Sequence, residues 1–224
     1  MKIQLIKNER AIKVNDYLVL GDLHIGYEAS MKGYSIFNLI KNLAKKIISL
    51  KNNYHCNKLI ILGDLKYNIA YFTEKEVYQI KKLFDILSEN FDEIIILKGN
   101  HDGKIENILK NPKIKILKEF KLQKVGFMHG HRKPSINMMD CLYFIIGHSH
   151  PTLKLKDKNQ VIHSYPVWII GNLKKSKFKA FQCQKVIIVP AFNPLIIGSD
   201  KLLGPIAKNL KQKEIIMLDL TKVY

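Results

Sequence analysis

The sequence predicts an α/β protein whose core contains two packed β-sheets. In the first half of the chain, short apolar runs alternate with amphipathic helical patterns, which is the order typical of α/β sheets. After Pro112 the pattern changes to short strands separated by turns, which indicates a second sheet. Five apolar runs lead directly into turns that carry Asp, Asn or His, and α/β sheets hold their active sites at the carboxyl ends of strands.

Hydrophobic periodicity and capping signals predict the individual elements. One amphipathic helix is expected from Ser35, its N-cap, to about Lys51. Thr73 caps a second helix that runs to about Asn90, and Glu76 completes a capping box. Short helices are predicted near 103–110 and 135–141, and strands at 3–6, 11–14, 17–21, 58–62, 93–97, 114–117, 119–123, 125–129, 142–147, 167–170, 186–189 and 215–218.

The chain is strongly basic, with a formal net charge of +18 from 37 basic and 19 acidic residues. A nucleic acid partner would match such a charge. However, only Arg10 and Arg132 are arginines, and nucleic-acid-binding proteins usually use arginine as well, because its planar fork grips phosphate in two places. A lysine-rich compositional bias explains the charge equally well, so charge alone leaves the partner open.

Composition also bounds the class and location of the protein. No apolar run approaches the roughly 18 residues that a membrane span needs, so no membrane partner is expected. The N-terminal residues lack the apolar core of a signal peptide, which favours a cytoplasmic protein. A chain of 224 residues is most simply one domain.

Side chains that bind metals or transfer protons concentrate in the five turns, which contain six of the eight histidines. Asp22 and His24 stand two residues apart, so in extended backbone they point to the same side, which suits two ligands of one metal. A solvated turn is the plainer interpretation of that pair alone. The full set of predicted ligands is Asp22, His24, Asp64, Asn100, His129, His148 and His150.

Imidazole and carboxylate ligands suit divalent ions such as Mn, Fe, Zn, Co or Ni. Seven ligands are too many for one tetrahedral zinc ion. We therefore expect two metal ions that share a bridge. Asp64 is the best candidate for the bridge, because a carboxylate can offer one oxygen to each ion.

The motifs Asp22-x-His24, Gly63-Asp64, Gly99-Asn100-His101-Asp102, His129-Gly130-His131 and Gly147-His148-x-His150 resemble, in order, the five motifs of the calcineurin-like metallophosphoesterase superfamily. This resemblance implies a four-layer αββα sandwich of two mixed β-sheets flanked by helices, formed as one domain over 1–224 without a cap domain. The segments 21–28, 63–66, 147–151 and 190–194 look closest to the subgroup that includes the DNA-ligase-associated DNA-repair phosphoesterases. A DNA-repair partner is implied only by that analogy.

The same resemblance implies a role for each motif residue. Asp22, His24, Asp64 and His150 correspond to the ligands of the first metal, and Asp64, Asn100, His129 and His148 to those of the second. His101 corresponds to the proton donor to the leaving oxygen. The implied cofactors are two divalent ions, with manganese favoured over iron, zinc, cobalt or nickel.

Three further residues are candidates for substrate contacts. Arg132 follows the fourth motif directly, and in a lysine-rich chain this suggests an arginine kept for phosphate. Lys66 is a second phosphate-binding candidate, and His131 is expected to support a ligand or face the substrate. Tyr67 stands where many superfamily members carry an Asp that orients the catalytic histidine. We therefore expect either that the Tyr67 phenol or Asp102 orients His101, or that the general-acid step is weaker.

The intervals between the motifs are too short to hold a cap domain, so an open site is expected. An open site and a basic chain favour a phosphodiesterase or nuclease that acts on DNA or RNA through metal-activated hydroxide, with His101 as general acid. Hydrolysis of a nucleotide or another small phosphodiester is an alternative. A non-catalytic scaffold, as in the retromer subunit of the superfamily, and a nucleic-acid-binding module are the others, but neither requires His101.

Overall fold

The computed structural model describes residues 2–30 and 36–223. Ser35, the predicted N-cap of the first helix, lies outside the described residues. The fold is an α/β arrangement of two mixed β-sheets with few helices, as the sequence predicts. Within the described residues, no helix combines the length and apolar character needed to cross a bilayer.

The first sheet has six strands in the order β1-β2-β3-β4-β5-β6. Its strands are β1 (Ile3–Leu5), β2 (Ile12–Val14), β3 (Tyr17–Leu20), β4 (Lys58–Ile61), β5 (Glu93–Leu97) and β6 (Ile114–Leu117). Strands β3 to β6 are parallel, and β1 and β2 are antiparallel additions at one edge. The carboxyl ends of β3, β4 and β5 therefore meet at one edge of the sandwich.

The second sheet runs in the order β14-β13-β11-β12-β9-β8-β7, and β10 pairs with β11 beside this path. Its strands are β7 (Glu119–Leu122), β8 (Val125–Met128), β9 (Tyr143–Ile146), β10 (Thr152–Lys156), β11 (Ile162–Leu173), β12 (Lys185–Ile188), β13 (Leu210–Met217) and β14 (Lys222–Val223). Strands β8, β9 and β12 are parallel.

Two strand predictions needed correction. Strand β6 was expected in the second sheet but pairs with β5 in the first. Strand β10 was not predicted, and β11 begins before the predicted 167–170, because the two strands pair in an exposed ribbon. The alternation of Leu153 and Leu155 with lysines in β10 was an available signal that the prediction missed.

The helices cover the two sheets unequally. Helices α1 (Ile36–Tyr54) and α2 (Glu74–Asn90) pack on the outer face of the first sheet. Near the predicted short helices at 103–110 and 135–141, the structure has only 3-10 turns, Ile105–Asn107 and Ile136–Met138. The outer face of the second sheet is covered by the second of these turns, an irregular segment and the four-residue α3 (Gly204–Ala207). The fourth layer of the expected αββα sandwich is therefore largely non-helical.

Alternating residues of the central strands face two different cores. Ile61 and Ile96 lie in the core under α1 and α2, whereas their neighbours Ile60 and Ile95 lie between the sheets. Trp168 from β11, which is fully buried, also packs between the sheets. Burial on both faces explains why these strands read as continuous apolar runs rather than as alternating patterns.

The predicted capping box at the start of α2 is confirmed, and Glu76 does more than cap. The Thr73 side chain accepts from the Glu76 amide, and the Glu76 carboxylate accepts from the Thr73 amide. Glu76 also accepts from the amide and the side chain of Asn68, at 3.1 and 3.0 Å. Burial raises the pKa of Glu76, but these hydrogen bonds outweigh it and hold the pKa below its usual range.

We expect Glu76→Gln to lower the free energy of unfolding by about 1.5–3 kcal/mol at pH 7, because hydrogen bonds to a buried charged acceptor are lost. The difference in unfolding free energy between the wild type and the variant should shrink as pH falls below about 4.3, the usual pKa of Glu. It should disappear as pH passes the lower pKa of folded Glu76, since protonation of Glu76 removes the same charge as the substitution. Urea denaturation at several pH values measures it. Glu74→Gln, an exposed carboxylate in the same helical turn, is the matched control and should change stability by less than about 0.5 kcal/mol. Equal effects of the two variants would contradict the prediction.

Candidate metal centre

The predicted ligands lie in loops that follow parallel strands of both sheets. Asp22 and His24 follow β3, and Asp64 follows β4. His129 follows β8, and His148 is in the loop after β9. Since these strand ends meet at one edge of the sandwich, residues far apart in sequence converge there.

The loop backbone is strained at the ligand positions. The φ angles are 58° at Asp22, 40° at His24, 51° at Asp64, 68° at His148 and 40° at His150, all in the left-handed region. Non-glycine residues occupy this region at a cost of about 1–3 kcal/mol each, and such residues cluster at functional sites. Five of the seven predicted ligands share this conformation, which indicates that their directions are set by the surrounding fold.

Asp22, His24, Asp64 and His150 form a first group whose potential ligand atoms all lie within 4.8 Å of one another. His24 Nε2 is 3.2 Å from His150 Nε2, and His150 Nε2 is 3.2 Å from Asp22 Oδ1. Asp64 Oδ2 lies 3.7 Å from His24 Nε2. The group therefore presents two carboxylates and two imidazoles to one point.

Asp64, His129 and His148 form a second group within the same 4.8 Å limit. His129 Nε2 is 3.3 Å from Asp64 Oδ2 and 3.1 Å from His148 Nδ1. The amide oxygen of Asn100 lies 3.2 Å from His129 Nε2 and so joins this group. Asp64 belongs to both groups, which is the arrangement that a bridging carboxylate requires.

The charges within this cluster fit divalent cations. Burial lowers the pKa of His24 and of His148 to about 4, so both are neutral imidazoles with a free lone pair. Burial alone would lower the pKa of His129 as well, but its hydrogen bond to Asp64 raises it to about 9. Without a metal ion, His129 is therefore protonated at neutral pH, and it must release this proton to bind one. Buried carboxylates and imidazoles are the ligand types of divalent first-row metals.

His129 is also held by a backbone group. Its Nδ1 donates to the carbonyl oxygen of Leu62 at 2.7 Å, which leaves Nε2 free to face Asp64. Such a hydrogen bond from the second ring nitrogen fixes the tautomer and orientation of metal-binding histidines.

His101 stands beside the cluster with one nitrogen available. Its Nδ1 donates to the carbonyl oxygen of Tyr67 at 2.5 Å, and its Nε2 lies 3.7 Å from Asp64 Oδ2. The His101 amide donates to Asp64 Oδ1 at 3.0 Å. Nε2 therefore points toward the bridging carboxylate and into the site.

The predicted partners of His101 were wrong. Asp102 is fully buried and accepts from the amides of Leu65 and Gly99, at 2.8 and 2.9 Å, so it stabilises the loops rather than His101. The Tyr67 phenol ring packs edge-on against Tyr27, with the ring centroids 5.0 Å apart. The backbone carbonyl of Tyr67 orients His101 instead.

The sequence matches the family described as calcineurin-like phosphoesterase over residues 16–208. The chain belongs to this family. It is therefore a metal-dependent phosphoesterase, in agreement with the prediction from the motifs. No curated protein matches the chain.

Solved structures similar to this phosphoesterase include nuclease MPE from Pseudomonas putida, which is 17% identical, covers 97% of this chain and 93% of that chain, and has a TM-score of 0.63. Yfce, a phosphoesterase from E. coli, is 18% identical with coverages of 93% and 96% and a TM-score of 0.42. Vps29 from Entamoeba histolytica is 13% identical with coverages of 81% and 79% and a TM-score of 0.35. The likeness to nuclease MPE shows the fold.

The prediction that Lys66 binds phosphate was wrong. Only 1% of the residue is exposed, and its ammonium donates to the carbonyl oxygens of Ile69 and Tyr71, at 3.2 and 3.0 Å. It also donates to the carbonyl of Asn68 and lies 4.5 Å from the centre of the Phe72 ring. Its three donors are thus used within its own loop.

The predicted substrate residues His131 and Arg132 lie beside His129 of the second ligand group. The His131 ring is 5.2 Å from that of His129, and both of its ring nitrogens are buried without a hydrogen-bond partner. Arg132 is exposed in a cleft that reaches His129. The other basic residues lining this cleft are Lys98, Lys118 and Lys133.

Sequence reasoning assigned no role to two residues that support the first motif. Asn193 is fully buried, and its side chain donates to the carbonyl of Leu23 at 2.8 Å. Glu28 is also buried and accepts from the amide of Gly26 at 3.1 Å. Both residues fall in segments that resemble a family subgroup, and that resemblance was the available signal.

We expect MnCl₂ in place of EDTA to raise the melting temperature of the protein by about 5–10 °C, because binding at roughly 100 times Kd stabilises a folded chain by about 2.7 kcal/mol. Asp64→Asn should remove most of this shift, since Asp64 belongs to both ligand groups. Differential scanning fluorimetry measures it. Asp157→Asn, which changes an exposed aspartate 2.9 Å from His163, is the matched control and should keep the full shift. A full shift in both variants would contradict a site at Asp64.

Proposed function

We propose that the protein is a dinuclear-metal phosphodiesterase that acts on nucleic acid. The observation that supports this most strongly is the pair of ligand groups that share Asp64, with His101 Nε2 3.7 Å from its carboxylate. The proposed ligands of the first ion are Asp22, His24, Asp64 and His150, and those of the second are Asp64, Asn100, His129 and His148. Ions bound there would supply an activated water and Lewis-acid polarisation of the phosphoryl oxygens.

His101 is the proposed general acid. A carbonyl oxygen can only accept a hydrogen bond, so Nδ1 must carry a proton toward Tyr67. In the imidazolium form, Nε2 then holds the second proton and can pass it to the leaving oxygen. Deprotonation at Nε2 leaves the same neutral tautomer, so the ring keeps its orientation through the reaction.

The cleft beside His129 supports a polyanionic substrate. Within the part of the chain that the structure describes, Lys118, Arg132 and Lys133 take part in no ion pair or hydrogen bond. Glu119, the acidic residue of this cleft, accepts from the Ser135 amide at 3.1 Å and from its hydroxyl. Free cations beside a phosphoesterase site favour a substrate with further phosphates, and a nucleic acid strand provides them.

The substrate of one structural relative agrees with the proposal. The nuclease MPE, which shares the fold, is described as a nuclease, and this agrees with a nucleic acid substrate. Five finer points stay predictions: manganese as the metal, one domain without a cap, membership of the DNA-ligase-associated subgroup, a DNA-repair partner and a cytoplasmic location.

We expect the wild type to hydrolyse bis-p-nitrophenyl phosphate and a dinucleoside phosphate in the presence of Mn²⁺, and EDTA to abolish both activities. His101→Ala should lower kcat for the dinucleoside phosphate by about 10²–10⁴-fold, because its alkoxide leaving group needs a proton. The p-nitrophenolate group leaves without protonation, so the aryl diester should lose much less. Steady-state kinetics with both substrates measures these effects.

His163→Ala is the matched control, since His163 is exposed and pairs with Asp157 at 2.9 Å away from the ligand groups. It should keep both activities. Absence of metal-dependent turnover in the wild type would refute the proposed function, and cleavage of p-nitrophenyl phosphate alone would indicate a monoesterase.

We expect Arg132→Ala to lower kcat/KM for a single-stranded oligonucleotide by about 10–100-fold at low salt, because a charge-assisted contact to phosphate is lost. The slope of log(kcat/KM) against log[salt] should become shallower by about one. Bis-p-nitrophenyl phosphate, which has no neighbouring phosphate, should be affected far less. Lys158→Ala, an exposed lysine outside the cleft, is the control. An equal loss with both substrates would argue against a strand-binding role for Arg132.

A further inference from the structure

We propose that Lys66 is a positioning residue for catalysis, which maintains the loop conformation that presents the Tyr67 carbonyl to His101. The proposal rests on the proposed function, because it assigns His101 the role of general acid. Lys66 itself does not contact the substrate. Its effect passes through the loop of residues 66–72, which is here called the lysine-centred loop.

Lys66 forms the interior of the lysine-centred loop. Its ammonium donates to Ile69 O at 3.2 Å, to Tyr71 O at 3.0 Å and to Asn68 O, and the loop closes around it. Phe72 covers the ammonium at 4.5 Å from the ring centre. The large side chains of Ile69 and Tyr71 are exposed, so the loop has little apolar core of its own, and the contacts of Lys66 supply interactions that hold its shape.

Contacts on both sides of Tyr67 connect this loop to the rest of the fold. The Tyr67 amide donates to Ile25 O at 2.9 Å, next to the first motif. The following residue, Asn68, donates to Glu76 Oε1 through both its amide and its side chain. The carbonyl of Tyr67 lies between these two anchors, so its position depends on the loop conformation that Lys66 maintains.

The position of the Tyr67 carbonyl matters because a neutral acceptor orients His101 only through a directional hydrogen bond. A carboxylate next to a catalytic histidine attracts the imidazolium by charge over a range of geometries. The neutral carbonyl of Tyr67 offers a directional hydrogen bond instead, at 2.5 Å from His101 Nδ1. A misplacement of about 1 Å at a reacting group can cost roughly 100-fold in rate. Movement of the lysine-centred loop would therefore turn Nε2 away from the leaving oxygen.

The decisive test uses Lys66→Met with two substrates, because methionine keeps much of the length of the stem and removes the donors. We expect kcat for a dinucleoside phosphate to fall by about 100–1,000-fold, within the range of a general acid. KM should stay within about threefold, and kcat for bis-p-nitrophenyl phosphate should fall by less than about fivefold. A general loss of folding would instead reduce both activities in proportion.

A double variant separates positioning from a second, independent effect. In the His101→Ala background, Lys66→Met should cause no further loss with the dinucleoside phosphate, because the group that it positions is absent. Lys113→Met is the matched control, since Lys113 also donates to a carbonyl, Ser88 O at 2.7 Å, on the far side of α2. It should keep the wild-type ratio between the two substrates.

The proposal is overturned by an equal loss on both substrates, by additive losses in the double variant or by an unchanged kcat for the dinucleoside phosphate. If Lys66→Met does not fold, Asn68→Ala serves the same test, since it removes one hydrogen bond to Glu76 from the same loop. A selective loss with that variant supports the proposal, and a proportional loss overturns it. An inactive wild type is a distinct result, since it refutes the proposed function itself.

Discussion

The buried carboxylate of Asp64 is the group on which the rest of the site depends. It approaches His24, His101 and His129 within 3.7 Å and accepts from the His101 amide. The neighbouring backbone leaves space for it only because residue 99 is glycine, since a Cβ there would lie 2.0 Å from Asp64 Oδ1. Gly99 therefore leaves space for the Asp64 carboxylate, and Asn100 and His101 lie next to that carboxylate.

Strain at the ligand loops is offset by the sandwich behind them. The loops begin at strands whose residues are buried on both faces, so the strand ends cannot shift without loss of packing in two cores. Hydrogen bonds between loops add to this, such as Asp22 N to Gly63 O and His24 N to Asp64 O, both at 2.9 Å. A rigid scaffold with strained termini keeps the ligands in place before any ion binds, which lowers the reorganisation that binding requires.

Two basic residues near the site differ in burial. Lys66 and Arg132 both follow motif residues closely, yet the first is enclosed by carbonyl groups and the second faces a cleft. An ammonium with three donors is suited to hold three carbonyls, whereas a guanidinium fork is suited to phosphate. In the proposed mechanism, Lys66 therefore supports the loop that orients His101, and Arg132 presents positive charge to the substrate.

Much of the fold and most of the candidate site follow from the sequence alone. The bounds of β5 and the capping box of α2 were predictable because they depend on local periodicity and on contacts a few residues apart. The seven candidate ligands were predictable because five apolar runs lead into turns with Asp, Asn or His, and these turns hold six of the eight histidines. Only the tertiary structure decided the sheet to which β6 belongs, the exposed ribbon of β10 and β11, and the partners of Lys66 and His101. The sheet of β6 and the partner of His101 depend on which distant backbone groups lie nearest in space. The carbonyls that Lys66 binds are local, but a backbone carbonyl has no sequence signature because every residue carries one.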